Sequence, residues 1–161
     1  MQVRLLVLAL TLILCSRTTA AEIVGRVVSV ADGDTLTLLD TKRTQHKIRL
    51  AFIDAPEKGQ PHGRRSRQNL SEHAFGKDAR AHCYKTDRYE RLICTVLVDG
   101  KDVGLAQLEA GLAWWYRKYA REQLPRQRVI YESAEDRAAA DRIGLWADKD
   151  PVPPWRWRRK H

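Results

Sequence analysis

Short β-branched segments separated by turn residues occupy much of the chain, and they limit what it can fold into. Val and Ile dominate residues 23–30, and Thr35, Leu36, Thr37 and Leu38 alternate in polarity after an Asp-Gly turn. Such segments form half-buried strands. The pattern predicts five strands, at about residues 23–30, 35–38, 47–52, 83–86 and 92–98.

Helical patterns lie between and after these strands. Residues 64–75 are compatible with a helix, and Leu105, Leu108 and Leu112 lie on one face of a second. A third begins at Pro125 and ends before Gly144. One interposed helix, two terminal helices and five strands predict an α+β domain built on a small antiparallel barrel.

The first twenty residues have the features of a secretory signal peptide. A basic start precedes the apolar run Leu5–Leu14, and small residues follow it. The alternative is a membrane anchor, but a bilayer span needs about 20 apolar residues. We expect cleavage after Ala20 or Ala21, a secreted or periplasmic product, and no stable membrane span afterwards.

The chain is strongly basic, with 29 Lys and Arg against 20 Asp and Glu and a formal charge of +9. Such a charge attracts nucleic acid or anionic lipid. The segment 150–161 is a basic tail rich in Pro, Trp and Arg. Three interpretations of this tail stay open: it stacks on bases, sits at a lipid interface, or packs on the barrel.

Three short motifs carry candidate chemistry. They are the acidic turn Asp32–Thr35, the strand end at residues 48–57 with its two carboxylates and Arg49, and the polar hairpin tip Asp87–Arg91. Carboxylate oxygens suit a hard cation such as calcium, and arginine suits phosphate. Taken singly, each motif is also explained as an ordinary charged turn or loop.

Together and in this order, the motifs resemble those of the staphylococcal (micrococcal) nuclease family, from about Val24 to Trp146. The shared marks are DGDT, R-L-x-x-I-D-x-P-E, the glycine-rich entry to the first helix, D-x-Y-x-R, and the later G-L-A and G-L-W. The resemblance implies an oligonucleotide-binding (OB) fold, a five-stranded barrel with three helices. It also implies a calcium-dependent phosphodiesterase that acts on DNA and RNA and leaves 3′-phosphate and 5′-hydroxyl ends.

The resemblance further implies roles for individual residues. Calcium is expected on the carboxylates of Asp34 and Asp54 and on the backbone carbonyl of Ala55. Arg49 and Arg91 match phosphate-binding arginines, and Glu57 matches the carboxylate that activates or positions the attacking water. Arg88, Tyr89 and Tyr119 match residues beside the nucleotide.

One position departs from the family pattern. Glu90 stands where the family usually has glycine, between Tyr89 and Arg91. If φ is positive there, the turn is strained. The acid also lies next to Arg91, where it would weaken phosphate binding.

The hairpin also predicts a disulfide. If the hairpin is centred on Arg88 and Tyr89, then Cys83 and Cys94 lie directly opposite each other. Opposed cysteines on paired strands are close enough to bridge, and an exported protein is exposed to oxidising conditions. The alternative is two buried free thiols.

The leading hypothesis is therefore an exported, calcium-dependent nuclease with little sequence preference, expected to be a monomer. Two alternatives come from other classes. One is a non-catalytic nucleic-acid-binding barrel, and the other is a cationic protein of the cell envelope surface.

Overall fold

A computed structural model of the protein describes residues 21–160, so the predicted signal peptide at residues 1–20 lies outside the described residues. Two short 3-10 helices, Arg117–Glu122 and Gly144–Ala147, accompany the main elements. In chain order the strands and α-helices are β1 (Ala21–Val30), β2 (Thr35–Asp40), β3 (Gln45–Leu50), β4 (Ile53–Asp54), α1 (Gly63–Ala74), β5 (Asp78–Thr86), β6 (Leu92–Val98), β7 (Lys101–Asp102), α2 (Val103–Glu109), β8 (Trp114–Trp115), α3 (Pro125–Ala140) and α4 (Pro154–Trp157).

Five of these strands close into a barrel. Their order is β3-β2-β1-β5-β6, and each neighbouring pair is antiparallel. β3 then pairs in parallel with β6, with Leu50 opposite Cys94, and this pairing closes the sheet. The predicted α+β class and five-stranded OB barrel are confirmed. The predicted helices correspond to α1, α2 and α3, and the described residues add only short helical turns to them.

The barrel interior is filled by apolar side chains from every strand. Val27, Leu38, Ile48 and Val96 are fully buried. Their alternation with polar neighbours places one face of each strand inward, and burial of this face is the main force that holds the sheet closed.

Two strand boundaries differ from the sequence prediction. The third strand ends at Leu50 rather than at Phe52, because Phe52 has φ of 64° and turns the chain into β4. β5 begins at Asp78 rather than at Cys83. Its first buried positions are Ala79 and Ala81, and alanine has too little β-propensity to mark a strand in the sequence.

α2 and α3 are joined by one half-buried carboxylate, that of Asp102. Asp102 caps α2 by accepting hydrogen bonds from the N–H groups of Gly104 and Leu105, at 2.9 and 3.2 Å. The Tyr131 hydroxyl of α3 donates to the same carboxylate at 2.7 Å. Tyr131 is buried together with Ala134 and Ala138 on the inner face of α3, whereas Ile130 is 41% exposed.

The G-L-A motif, in the loop after α2, contacts the G-L-W motif, which follows α3. Gly111 and Gly144 both have φ of 61°, and the Leu145 N–H donates to the Gly111 carbonyl at 2.8 Å. A Cβ on Gly144 would overlap that carbonyl, so only glycine fits. The contact fixes the chain that leaves α3 against the loop after α2.

The predicted disulfide is present. Cys83 of β5 lies directly opposite Cys94 of β6, and their sulfur atoms are bonded. Both cysteines are buried. The bond lies at the base of the hairpin whose tip is Asp87–Arg91. Over residues 21–160, no helix is both long and apolar enough to cross a membrane.

Candidate active site

One open cleft of about 960 Å³ lies at the mouth of the barrel, between the β1–β2 turn, the loop after β4 and the β5–β6 hairpin. All the residues predicted to bind metal, phosphate, water or nucleotide line it: Asp34, Arg49, Asp54, Ala55, Glu57, Arg88, Tyr89, Arg91 and Tyr119. The structure brings every one of these residues to a single site.

Asp34 is held in place by its own turn and by the loop after β4. Its N–H donates to Asp32 at 3.0 Å, and its Oδ1 accepts from the Thr35 hydroxyl at 3.1 Å. Its Oδ2 accepts from the Ala55 N–H at 3.0 Å. The Ala55 backbone, whose carbonyl is the predicted third ligand, is thereby fixed to the first carboxylate.

The glycine of the DGDT motif has a packing role. A Cβ on Gly33 would overlap the Ser66 hydroxyl of α1. The fully buried Gln107 side chain of α2 donates from Nε2 to the Gly33 carbonyl at 2.5 Å and to the Ser66 carbonyl at 3.0 Å. Two helices therefore hold the turn that carries Asp34.

Arg49 lies between the two buried carboxylates. Its Nη2 atom is 2.8 Å from Asp54 Oδ1 and 3.3 Å from Asp34 Oδ2. Thr35 and Arg49 are paired across β2 and β3, and β4 holds Asp54 beside them. Both carboxylates therefore converge on one guanidinium nitrogen.

Burial and charge oppose each other in this cluster. Burial disfavours the charged guanidinium, but Asp34 and Asp54 outweigh it and raise the pKa of Arg49. Burial raises the pKa of Asp54, although hydrogen bonds from Arg158 oppose the shift. Burial, followed by the charge of Asp34, raises the pKa of Asp32 to about 6. Three carboxyl groups, those of Asp32, Asp34 and Asp54, line the same cleft, where a bound cation would stabilise their charged forms.

Glu57 follows Pro56 in the loop after β4. Its N–H donates to the Gln60 side chain at 3.1 Å. A Cβ on Gly63 would overlap the Glu57 carbonyl, which accounts for a glycine at the start of α1. The Glu57 side chain is 38% exposed, so it is accessible to water in the cleft.

Arg91 is anchored within its own hairpin turn. The Asp87 carboxylate accepts from Arg91 Nε at 2.9 Å and lies 2.8 Å from Nη2. Partial burial opposes ionisation of Asp87, but the N–H groups of Arg91 and Tyr89 and the Arg91 side chain outweigh it and lower the pKa of Asp87. Glu90 does adopt a positive φ, of 61°. The ion-pair partner of Arg91 is Asp87 rather than Glu90.

Aromatic rings lie on two sides of the cleft. Tyr89 is 60% exposed, and the guanidinium groups of Arg88 and Arg91 lie 4.8 and 5.4 Å from its ring centre. On the other side, the Lys85 ammonium lies 4.7 Å from the centre of the Tyr119 ring. The pairing of cations with aromatic faces suits a chain of alternating phosphates and bases.

Of the three interpretations of the tail, packing on the protein is the one that the structure shows, and the tail also enters the cleft, which was not predicted. The Arg158 guanidinium contacts Asp54 at 2.7 Å and Glu57 at 2.6 Å. The Trp155 ring lies parallel to the Tyr116 ring, 5.5 Å away between centroids. Arg158 lies 104 residues from Asp54 in sequence, so no local spacing links them. The only available signal was the density of Trp and Arg in the tail.

The donors at the centre of the cleft fit a calcium ion. Asp34 and Asp54 supply neighbouring buried carboxylate oxygens, both within 3.3 Å of Arg49 Nη2, and calcium prefers oxygen ligands. Over the described part of the chain, no group of three His, Cys, Asp or Glu side chains forms a metal cluster. A complete calcium shell therefore needs backbone carbonyl and water oxygens in addition to this pair.

The fold and the cleft together define an OB-fold protein with a site of paired carboxylates and arginines. The family model described as staphylococcal nuclease homologue matches residues 47–148. The chain belongs to the staphylococcal nuclease family. The matched range begins after the DGDT turn, so Asp34 lies outside it.

Named relatives cover most of the chain. An uncharacterized endonuclease of Haemophilus influenzae is 40% identical over 135 residues, which are 84% of this chain and 72% of that protein. An uncharacterized endonuclease of Escherichia coli O157:H7 is 38% identical over 87% of this chain and 88% of its own length. A micrococcal nuclease of Shigella flexneri is 37% identical over 86% of this chain and 82% of its own length.

Proposed function

We propose that this protein is a calcium-dependent nuclease that hydrolyses phosphodiester bonds of DNA and RNA with little sequence preference. The products carry 3′-phosphate and 5′-hydroxyl ends, and the enzyme acts after export, in the periplasm or outside the cell. One observation carries the proposal: two carboxylates, two arginines and an accessible glutamate converge in one open cleft. Membership of a nuclease family and relatives named endonuclease support it.

The arginines account for phosphate binding. A phosphodiester is an anion that repels a hydroxide nucleophile, and charge on its oxygens increases in the transition state. Arg49 and Arg91 line the same cleft, and planar guanidinium groups match phosphate oxygens in pairs. Asp87 orients Arg91, while Asp34 and Asp54 orient Arg49.

Glu57 accounts for activation of water. It is the most accessible of the three predicted site carboxylates, with 38% of its side chain exposed against 9% for Asp34 and 1% for Asp54. An accessible carboxylate can accept a proton from a water molecule or orient it. Calcium, held by Asp34, Asp54 and the Ala55 carbonyl, would neutralise charge on the phosphate.

The rest of the cleft accounts for weak sequence preference. Two of its aromatic side chains, Tyr89 and Tyr119, offer ring faces, and a ring face can stack on any base. The excess of positive charge attracts the backbone, which is the same for every sequence.

The test is degradation of plasmid DNA and of RNA by purified protein, with calcium and with a calcium chelator. We expect cleavage of both substrates with calcium and none with chelator. End-group analysis should find 3′-phosphates. Binding without cleavage would favour the non-catalytic barrel, and vesicle binding without cleavage would favour the envelope-surface protein.

Two variants separate the roles within the site. Asp34→Asn should lower the rate and raise the calcium concentration that is needed. Glu57→Gln should lower turnover about a hundredfold with less effect on calcium. Glu132→Gln, an exposed change on α3 outside the cleft, is the matched control. If both site variants stay folded and cleave at the parent rate in saturating calcium, the active site lies elsewhere.

Export has its own test. Cell fractionation should find the protein outside the cytoplasm, and N-terminal sequencing should find Ala21 or Glu22 as its first residue. An intact N-terminus on active cytoplasmic protein would contradict export while leaving the nuclease proposal in place.

A further inference from the structure

The C-terminal segment is packed onto the protein rather than extended from it. Pro153 and Pro154 are buried, and α4 follows them at once. Trp155 stacks parallel to Tyr116 and contacts the edge of Trp114, with ring centroids 5.7 Å apart in the second pair. These contacts fix the start of the segment beside the cleft and direct the residues after it toward the site.

Arg158 uses this position to bind the acidic groups of the site. Its Nη2 atom donates to Asp54 Oδ2 at 2.7 Å, and its Nη1 atom donates to Glu57 Oε1 at 2.6 Å and to Asp54 Oδ1 at 3.2 Å. The Nη2 atom of Arg49 donates to the same Asp54 Oδ1 atom at 2.8 Å. Both oxygens of a carboxylate that is 1% exposed are therefore occupied by guanidinium groups.

These contacts conflict with binding of a metal at the same carboxylate. A calcium ion needs direct contact with carboxylate oxygens, and a second cation at those oxygens would both repel it and fill its place. Arg49 contacts Asp34 as well as Asp54 and lies on a barrel strand. Arg158 is 43% exposed and lies just after the short helix α4 rather than in a barrel strand, so it is the group that can leave.

We propose that Arg158 is an internal competitor of calcium: it occupies Asp54 and Glu57 when calcium is scarce, and calcium binding displaces it. The C-terminal segment then sets the calcium concentration at which the site becomes active. This inference rests on the proposed function, because it concerns the regulation of that same site.

The main test measures calcium affinity without any nucleic acid, by isothermal titration of the full chain with calcium. Arg158→Ala should bind calcium more tightly, by a factor on the order of ten. Arg158→Gln should do the same while keeping most of the side-chain volume. Arg156→Ala is the matched control, because it removes the same charge from an exposed position of α4 outside the cleft, and its affinity should equal that of the parent.

A second readout uses the parent protein alone. Coupling between two binding events is reciprocal, so calcium should loosen the segment that it displaces. Hydrogen exchange at residues 153–160 should become faster in saturating calcium, while exchange in the barrel strands should become slower or stay unchanged. Cleavage at low calcium should be faster for Arg158→Ala than for the parent.

The outcomes separate this inference from the proposed function. Equal calcium affinity in the parent and both Arg158 variants, or a segment equally protected with and without calcium, would overturn the competition and leave the nuclease proposal standing. A fall in cleavage with unchanged calcium affinity would make Arg158 a substrate-binding residue instead. If neither the parent nor the variants bind calcium, both proposals fail.

Discussion

Reduction of the Cys83–Cys94 bond should cost the protein a defined amount of stability. The cysteines are 11 residues apart, so the bond closes a short loop. The loss of chain entropy in the unfolded state for a loop of this length corresponds to about 2.8 kcal/mol at 25 °C. The folding equilibrium should therefore shift by a factor on the order of a hundred when the bond is reduced.

The assay is urea unfolding of the same protein, oxidised and reduced, followed by tryptophan fluorescence. For a domain of this size the reduced form should unfold at a midpoint about 1–2 M lower in urea. Reduction keeps both sulfur atoms in the core, where Cys83 and Cys94 are buried. The double variant Cys83→Ala/Cys94→Ala removes them and should lose about 1 kcal/mol more, because it leaves a cavity.

The same double variant is the control for the reductant, because it has no bond at this position to break. Its unfolding curve should be identical with and without reductant. Coincident curves for the oxidised and reduced parent would refute the reasoning. So would alkylation and mass spectrometry that find Cys83 and Cys94 both free in unreduced, unfolded protein recovered from an oxidising compartment.

Three further predictions follow from the site and its supports. Arg49→Lys should lower kcat/KM about a hundredfold, nearly as much as Arg49→Ala, because an ammonium lacks the planar pair of N–H donors that matches two phosphate oxygens. Activity of the Lys variant close to that of the parent would contradict the paired contact. Gly111→Ala should lower the free energy of unfolding by about 2 kcal/mol or more, because φ of Gly111 is 61° and a Cβ there would overlap a backbone carbonyl. The control is Gly100→Ala, where φ is 74° but the Cβ would enter open space, and it should cost only about 1 kcal/mol. Equal losses for the two variants in urea unfolding would exclude the clash. The pKa of Asp87 is lowered in the folded protein, so the contribution of this carboxylate to stability is complete above its unfolded pKa near 3.8 and is lost as pH falls through the lower folded pKa. Asp87→Asn should abolish this part of the pH dependence of stability. A carboxyl NMR titration that places the pKa of Asp87 above 3.8 would contradict the prediction.

The fold could be predicted from sequence because its signals are local. β-branched runs and Asp-Gly turns predicted five strands, and their assembly into a closed barrel was correct. Two strand boundaries were predicted wrongly, because the residues there carry a weak strand signal or adopt a backbone conformation that their type does not indicate. The start of β5 carries alanine at its buried positions, and the turn at Phe52 depends on a positive φ that no residue type there announces.

The site was partly predictable for the same reason. Asp34, Arg49 and Asp54 lie at ends of strands or turns, so their backbone positions follow from the barrel once it closes. The supports of these residues were not predictable. Gln107 reaches the Gly33 carbonyl from α2, 74 residues away, and nothing in the spacing of either segment indicates the contact.

Arg158 shows why the last part of a site is the hardest to infer. Its place depends on stacking of Trp155 on Tyr116 and on two buried prolines, which act only after the barrel and its loops have formed. In composition the tail is a basic segment that would bind any polyanion, yet the nearest anions are the carboxylates of its own chain. A positive charge near a nuclease site therefore has two possible partners, the phosphate of the substrate and the carboxylates that hold the metal. The contacts of the two side chains differ: Arg91 is oriented by Asp87 at the hairpin tip, whereas Arg158 lies on the Asp54 oxygens that we propose bind the metal.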